Sequence, residues 1–168
     1  MPPVIADNPV LAKLWTYWRD KCVGRSMPRR RDIDPTEIAP LLPHLQLVER
    51  IDGRFRYRLC GTAIVEAYGR ELTGRFVDEI IPAHRRAVAE HHYTLLYEGR
   101  RPIFVKNKYT TTRSLDVIAS RLILPLSEDD LTVAMVLVAQ TFDYGAEMPT
   151  RLDMDATVAP YFGRIEIL

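Results

Sequence analysis

Apolar positions near the start of the chain recur at helical spacing. Leu11, Leu14, Trp15, Trp18 and Cys22 share one side of a 3.6-residue repeat, with Lys13, Thr16, Arg19 and Asp20 elsewhere, which predicts an amphipathic helix over residues 9–22. Asn8 can cap it, Pro9 suits its first turn, and Gly24 marks its exit. A shorter helix is expected from Asp34, with Asp34 as cap, Pro35 as first helical residue and Glu37 as reciprocal partner. Ile38, Leu41 and Leu42 supply its apolar side, and Pro40 and Pro43 keep it short. From Leu45 the period moves towards two. Asp52-Gly53 reads as a hairpin turn, after which Phe55, Tyr57 and Leu59 alternate with Arg56 and Arg58.

Thr62 can cap a short helix over residues 63–68, which Gly69 would end in a left-handed conformation. The next stretch, with Gly74 and the apolar cluster Phe76, Val77, Ile80 and Ile81, is a plausible pocket wall. Pro82 introduces a long helix to about Glu98, on which His84, Val88, His91, His92 and Leu95 project to one side. Strands are expected over residues 104–112, 115–126 and 131–142, with a turn at Ser127-Glu128-Asp129-Asp130. The last of these is apolar on both faces and must be covered on both. The stripe from Leu11 to Trp18 is the best cover for its second face, either over its own sheet or within a dimer contact. Leaving such side chains wet would forfeit roughly 1.5–3 kcal/mol for each Leu or Val.

Antiparallel strands with helices collected on one side give an α+β domain. We divide it into an N-terminal helical cap and basic linker (residues 1–44), a core (45–142) and a docked C-terminal tail (143–168), the tail being a short helix or irregular. At 168 residues, one ordinary core is affordable and two are not. The formal net charge of +1 argues against a nucleic-acid binder. No apolar run is long enough to span a membrane and no secretory segment is visible, so Cys22 and Cys60 are expected as reduced core residues of a cytoplasmic protein.

Charge is uneven on a smaller scale. Residues 19–31 carry six basic side chains against one acid, and Arg29, Arg30 and Arg31 are either a solvated linker or a contact for an acidic partner. The tail is acidic and could weakly complement them. His91 and His92 within the long helix are either ordinary partly buried imidazoles or cofactor ligands, and no Cys, Asp or Glu joins them at metal-ligand spacing. No phosphate-cradling loop, zinc-binding helix motif or nucleophile elbow is present, so no residue is assigned as catalytic and no enzyme is expected.

Several local runs carry a resemblance. Leu14-Trp15-Thr16-Tyr17-Trp18, the run from Met27 to Pro35, Leu41-Leu42-Pro43-His44-Leu45, Phe55 to Thr62 and Glu71 to Arg75 resemble a PAS domain, and most closely a stand-alone PAS subfamily found mainly in alphaproteobacteria. The resemblance extends from about Val10 to Phe142. It implies a sensory or regulatory module: a five-stranded antiparallel sheet with helices over one face and an N-terminal helix that covers the other face or forms a dimer contact. It also implies a homodimer, a regulatory partner protein, and a small molecule in the hollow between long helix and sheet. Light-sensing flavin versions need a reactive cysteine that Cys60, at a strand end, does not supply, even with Gln140 on the last strand. Neither cysteine lies in the chromophore-linking setting of photoactive yellow proteins. Haem versions use a histidine on the long helix, a place open to His91 or His92, so the cofactor itself stays unknown.

Two binding readings therefore compete. In one, Phe55, Tyr57, Val88, His92, Leu122 and Met135 line a ligand pocket. In the other the hollow is simply filled, and Leu11, Trp15, Trp18, Arg29, Arg30 and Arg31 make protein contacts. Regulatory protein contact with an optional ligand is the reading the residues favour.

Overall fold

The hydrophobic stripe of the first long helix finds its partner within the same chain. In a computed structural model, which describes residues 1–110, 116–145 and 164–168, helix α1 (Pro3–Ala6) leads into α2 (Pro9–Cys22). The Asn8 side chain accepts a hydrogen bond from the Leu11 amide at 3.1 Å, which satisfies one of the orphan donors of the first turn. Strands β1 (Leu45–Ile51) and β2 (Arg54–Cys60) form a hairpin whose Asp52 and Gly53 both have positive φ, as the two-residue turn demands. Helices α3 (Thr62–Tyr68), α4 (Val77–Ile80) and α5 (Ala83–Gly99) follow. Strands β3 (Ile103–Thr110), β4 (Asp116–Ser127), β5 (Val133–Asp143) and β6 (Arg164–Ile167) complete the described elements.

All pairings are antiparallel, in the order β2-β1-β5-β4-β3-β6. Strand β5 is thus central, as its two apolar faces require. The register separates those faces. Ser120 opposes Thr141, Leu122 opposes Ala139 and Leu124 opposes Leu137, while Arg121 opposes Gln140 and Ile123 opposes Val138. The Asn8 side-chain amide donates to Thr141 Oγ1 at 2.8 Å, so the face bearing Thr141, Ala139 and Leu137 lies under α2. Trp18 Nε1 donates to the Pro125 carbonyl at 2.9 Å, and Leu11, Leu14, Trp18 and Cys22 are buried. Of the two covers open to this helix, the protein uses its own sheet.

The segment after Asp34 departs from expectation. Asp34 Oδ1 accepts from the amide and hydroxyl of Thr36, and Glu37 pairs with Lys21 at 2.6 Å instead of reaching back to the cap. The chain makes turns and then a 3₁₀ helix over Ala39–His44, because two prolines within five residues deny an α-helix its donors. Gly61 joins β2 to α3 where a Cβ would lie 2.1 Å from the Leu42 carbonyl oxygen, so only glycine fits.

The tail ends as a strand: Arg164–Ile167 pairs with Ile103–Lys106 of β3 and adds a sixth strand to the five expected. The remaining tail positions from 146 to 163, and Thr111, Thr112 and Leu115, lie outside the described residues. Among the described residues, the acids that meet the basic linker are Asp32 and Asp130. Arg25 bonds Asp32 at 2.6 Å and Asp130 at 3.2 Å, Arg29 forks onto Asp130, and the Ser127 amide donates to the Pro28 carbonyl at 2.9 Å. Linker and β4–β5 turn are thereby clipped together.

Candidate functional site

Helix α5 packs on the opposite face of the sheet, and the side chains that meet there include most of the buried polar groups. Arg121 Nη2 donates to the Tyr93 hydroxyl at 3.1 Å, which places Arg121, and with it Gln140 and Val138, beneath α5. Gln46 opposes Val138 from β1, and its side-chain amide donates to Gln140 Oε1 at 3.0 Å. Phe55 of β2 lies against Tyr93 and Tyr97, with ring centroids 5.1 and 5.7 Å apart. Tyr57 is buried beside them and shares a hydrogen bond with Tyr93. His92 is 2% exposed, and among the described residues its Nδ1 has no hydrogen-bond partner.

Electrostatics follow from this burial. Desolvation, reinforced by the Arg121 guanidinium and by His91, holds the His92 pKa down at about 3, so the imidazole is neutral at physiological pH. Burial raises both Tyr57 and Tyr93 above the ordinary phenol range, keeping their hydroxyls protonated. The site thus sets neutral donor–acceptor groups and aromatic rings around the Arg121 guanidinium, with Arg50 over the Phe55 and Tyr97 rings at its rim. Such a set can orient a small molecule by hydrogen bonds while rings cover its apolar parts. It is poorly equipped for nucleophilic chemistry: burial pushes the Cys60 thiol up to about 12, leaving it protonated.

Of the six pocket residues expected, Phe55, Tyr57 and His92 do gather here. Val88 does not: it is 49% exposed on the outer side of α5. Leu122 and Met135 are also misplaced, since their register puts them on the α2 face of the same strands. A strand reading one residue out of phase exchanges the faces completely. The helix was likewise read about one residue out of phase. Its buried side is His92, Tyr93 and Leu96, whereas His84 and His91 face solvent, which removes His91 as an interior ligand. Gln46, Tyr93, Gln140 and Arg121 complete the site and were not assigned to it. Their signal was present as polar residues interrupting apolar strand runs and as the spacing of Ala89, Tyr93 and Tyr97.

The expected protein-contact residues divide. Leu11 is fully buried and Trp18 2% exposed, both against their own sheet, so neither is surface. Trp15 is half-buried, stacked on Trp18 with centroids 5.9 Å apart and topped by Arg19. Arg29 is engaged by Asp130, Arg30 donates to the Ile33 carbonyl at 3.4 Å, and Arg31 is exposed. Both cysteines are free. Among the described residues no group of three His, Cys, Asp or Glu side chains could hold a metal ion, and no helix is long and apolar enough to cross a membrane.

The order of strands and helices can now be set beside known proteins. No functionally curated protein matches the chain. A solved structure of the VqmA dimer of Vibrio cholerae, described in connection with a conformation shift in the absence of target DNA and with LuxR-type receptors, is similar in fold. The TM-score is 0.50 at 13% identity, over 66% of this chain and 52% of that one, so this chain spans about half the length of VqmA. Residues 6–139 match the PAS domain family, a span that takes in α2, the linker, all of the interior polar cluster but Gln140, and most of β5. This chain belongs to the PAS domain family.

Proposed function

We propose that this PAS domain is a non-enzymatic sensory module that binds a small molecule against the polar cluster beneath α5 and passes the resulting bias on through protein contacts. His92 carries the reading. A buried imidazole nitrogen that finds no partner among the described residues costs on the order of 1–3 kcal/mol, a cost that a bound hydrogen-bonding group would offset. The Arg121 guanidinium acts on the imidazole electrostatically, and Arg121 in turn bonds the Tyr93 hydroxyl, groups that can share a ligand's polar end. Haem ligation through His92 is the alternative. Output falls to the surface: half-buried Trp15 and exposed Arg31 are the contacts left to a partner protein. The dimeric description of VqmA supports a homodimer here. Two free thiols suit a reducing compartment such as the cytoplasm.

Native mass measurement and an absorption spectrum of protein purified without additives test this. A stoichiometric small molecule that is lost in His92→Phe supports the proposal. A haem Soret band would replace it with the haem alternative. A bare chain whose melting is unmoved by a broad metabolite panel would overturn ligand sensing.

A further inference from the structure

The Tyr93 oxygen accepts from Arg121 Nη2 at 3.1 Å, and Tyr57 bonds it as a second donor, since that bond favours the Tyr93 anion. With its oxygen so occupied, the phenol has only its own O–H left to give, and no atom among the described residues receives it. The Gln46–Gln140 pair is unbalanced as well. One bond joins Gln46 Nε2 to Gln140 Oε1, so among the described residues Gln140 keeps its N–H bonds to offer and Gln46 its carbonyl oxygen. Gln140 opposes Arg121 across β4 and β5, so the spare donors of Gln140 and Tyr93 flank one guanidinium. All these side chains are buried on the α5 face. Glu49 of β1 turns to the other face, where Arg56 holds it. The positive charge of Arg121 reaches His92, whose protonation it opposes. Buried donors left unmet cost free energy, and a cation brought among them costs more.

Resting on the reading that the interior holds a small molecule, we infer the class of that molecule: it is compact and presents a carbonyl-type oxygen, as ketone, amide or carboxylate, to the Tyr93 O–H and a Gln140 N–H. Its apolar body lies among the Phe55, Tyr57 and Tyr93 rings, and Gln46 Oε1 stays open to a donor elsewhere on it. Tyr93 is then a specificity-determining residue. A hydrocarbon of the same shape leaves both donors unmet, and an ammonium group meets only donors and positive charge.

Ligand-observed NMR titration of the full chain with acetophenone, benzoate, isopropylbenzene and benzylamine tests this. Acetophenone or benzoate should bind about tenfold more tightly than isopropylbenzene, the scale of one hydrogen bond, and benzylamine should bind most weakly. Tyr93→Phe should erase the preference while leaving isopropylbenzene unchanged, and Gln140→Met should reduce it. Near-ultraviolet circular dichroism confirms that each variant is folded. Isotope-edited infrared spectra of bound acetophenone should show a carbonyl stretch lowered in the parent and restored upwards in Tyr93→Phe. Benzoate and acetophenone both support the class, and their order fixes the charge of the oxygen. Equal binding of the hydrocarbon or the amine, a preference that survives both substitutions, or a co-purified molecule without such an oxygen overturns the class and leaves ligand sensing standing. No binding of any probe at millimolar concentration, with a bare chain by native mass, removes ligand sensing and this inference with it.

Discussion

Replacing Trp18 by alanine should cost far more than replacing Trp15, although the two tryptophans stack on one another and sit one turn apart. Trp18 is 2% exposed and donates its indole N–H to the Pro125 carbonyl, so Trp18→Ala leaves a cavity over β4 and β5 and removes a buried hydrogen bond. Truncating a fully buried large aromatic costs about 3–5 kcal/mol. For a chain of this size each kcal/mol moves the melting midpoint by about 2–4 °C, giving a fall of roughly 6–20 °C. Trp15 is only half-buried and has no such bond, so its loss should be about 1–2 kcal/mol, at the scale of partial apolar burial. Urea and thermal unfolding followed by circular dichroism measure both. Because the cover is intramolecular, the Trp18→Ala deficit should be the same at low and high protein concentration in preparations that are monomeric. Equal losses for the two variants, or a larger one at Trp15, would refute the assignment of α2 to its own sheet.

His92 makes stability depend on acid. Its folded pKa near 3 lies below the ordinary value of 6.5, so unfolding takes up a proton below about pH 6.5 and stability falls between there and pH 3, by about 1.4 kcal/mol per unit. His92→Gln should flatten that slope between pH 6.5 and 4.5 in urea titrations, and an unchanged slope would contradict the burial of the imidazole. Gly61→Ala should lose about 3 kcal/mol or fail to fold, since its Cβ would meet the backbone oxygens of Leu42 and Pro43 at 2.1 and 2.3 Å; a normal melting curve would count against that junction. Gly99→Ala, where nothing lies within 4 Å, should in contrast be neutral or slightly stabilising by the same measurement. Arg29 holds the Asp130 carboxyl below its usual range, with Arg25 assisting, so Asp130→Asn should speed hydrogen exchange over residues 25–32 at low salt. High salt should shrink that difference, and exchange unaffected by the substitution would show the clip to be idle.

The fold was readable where a single rule governs a segment. Asn8-Pro9 with its apolar stripe, Asp52-Gly53, and the two-sided β5 run each admit one structure, and each is found. The site was less readable because it depends on phase. Leu122 and Arg121 are neighbours in the chain yet lie on opposite sides of a layer, and only the pairing of β4 with β5 decides which meets α5. The same holds for His91 and His92, where a rotation of 100° separates solvent from core. Pairings between distant segments were also beyond local rules. Asp130 is an ordinary turn residue until Arg25 and Arg29 are brought to it from about a hundred positions away, and β6 is too short to announce itself by pattern.

Strand β6 bears on what happens when the polypeptide is shortened. On the far side of the sheet the Tyr57 amide donates to the Arg75 carbonyl and the Gly74 amide to the Tyr57 carbonyl, whereas the β3 side is finished by Arg164–Ile167. Trimming those last residues would bare the amide and carbonyl row of Ile103–Lys106, in which Ile103, Phe104 and Val105 are otherwise buried. Such a row is sticky towards any other extended chain. A product lacking residues 164–167 would therefore present its sheet edge along the buried Ile103–Val105 stretch, where pairing with another chain competes with folding.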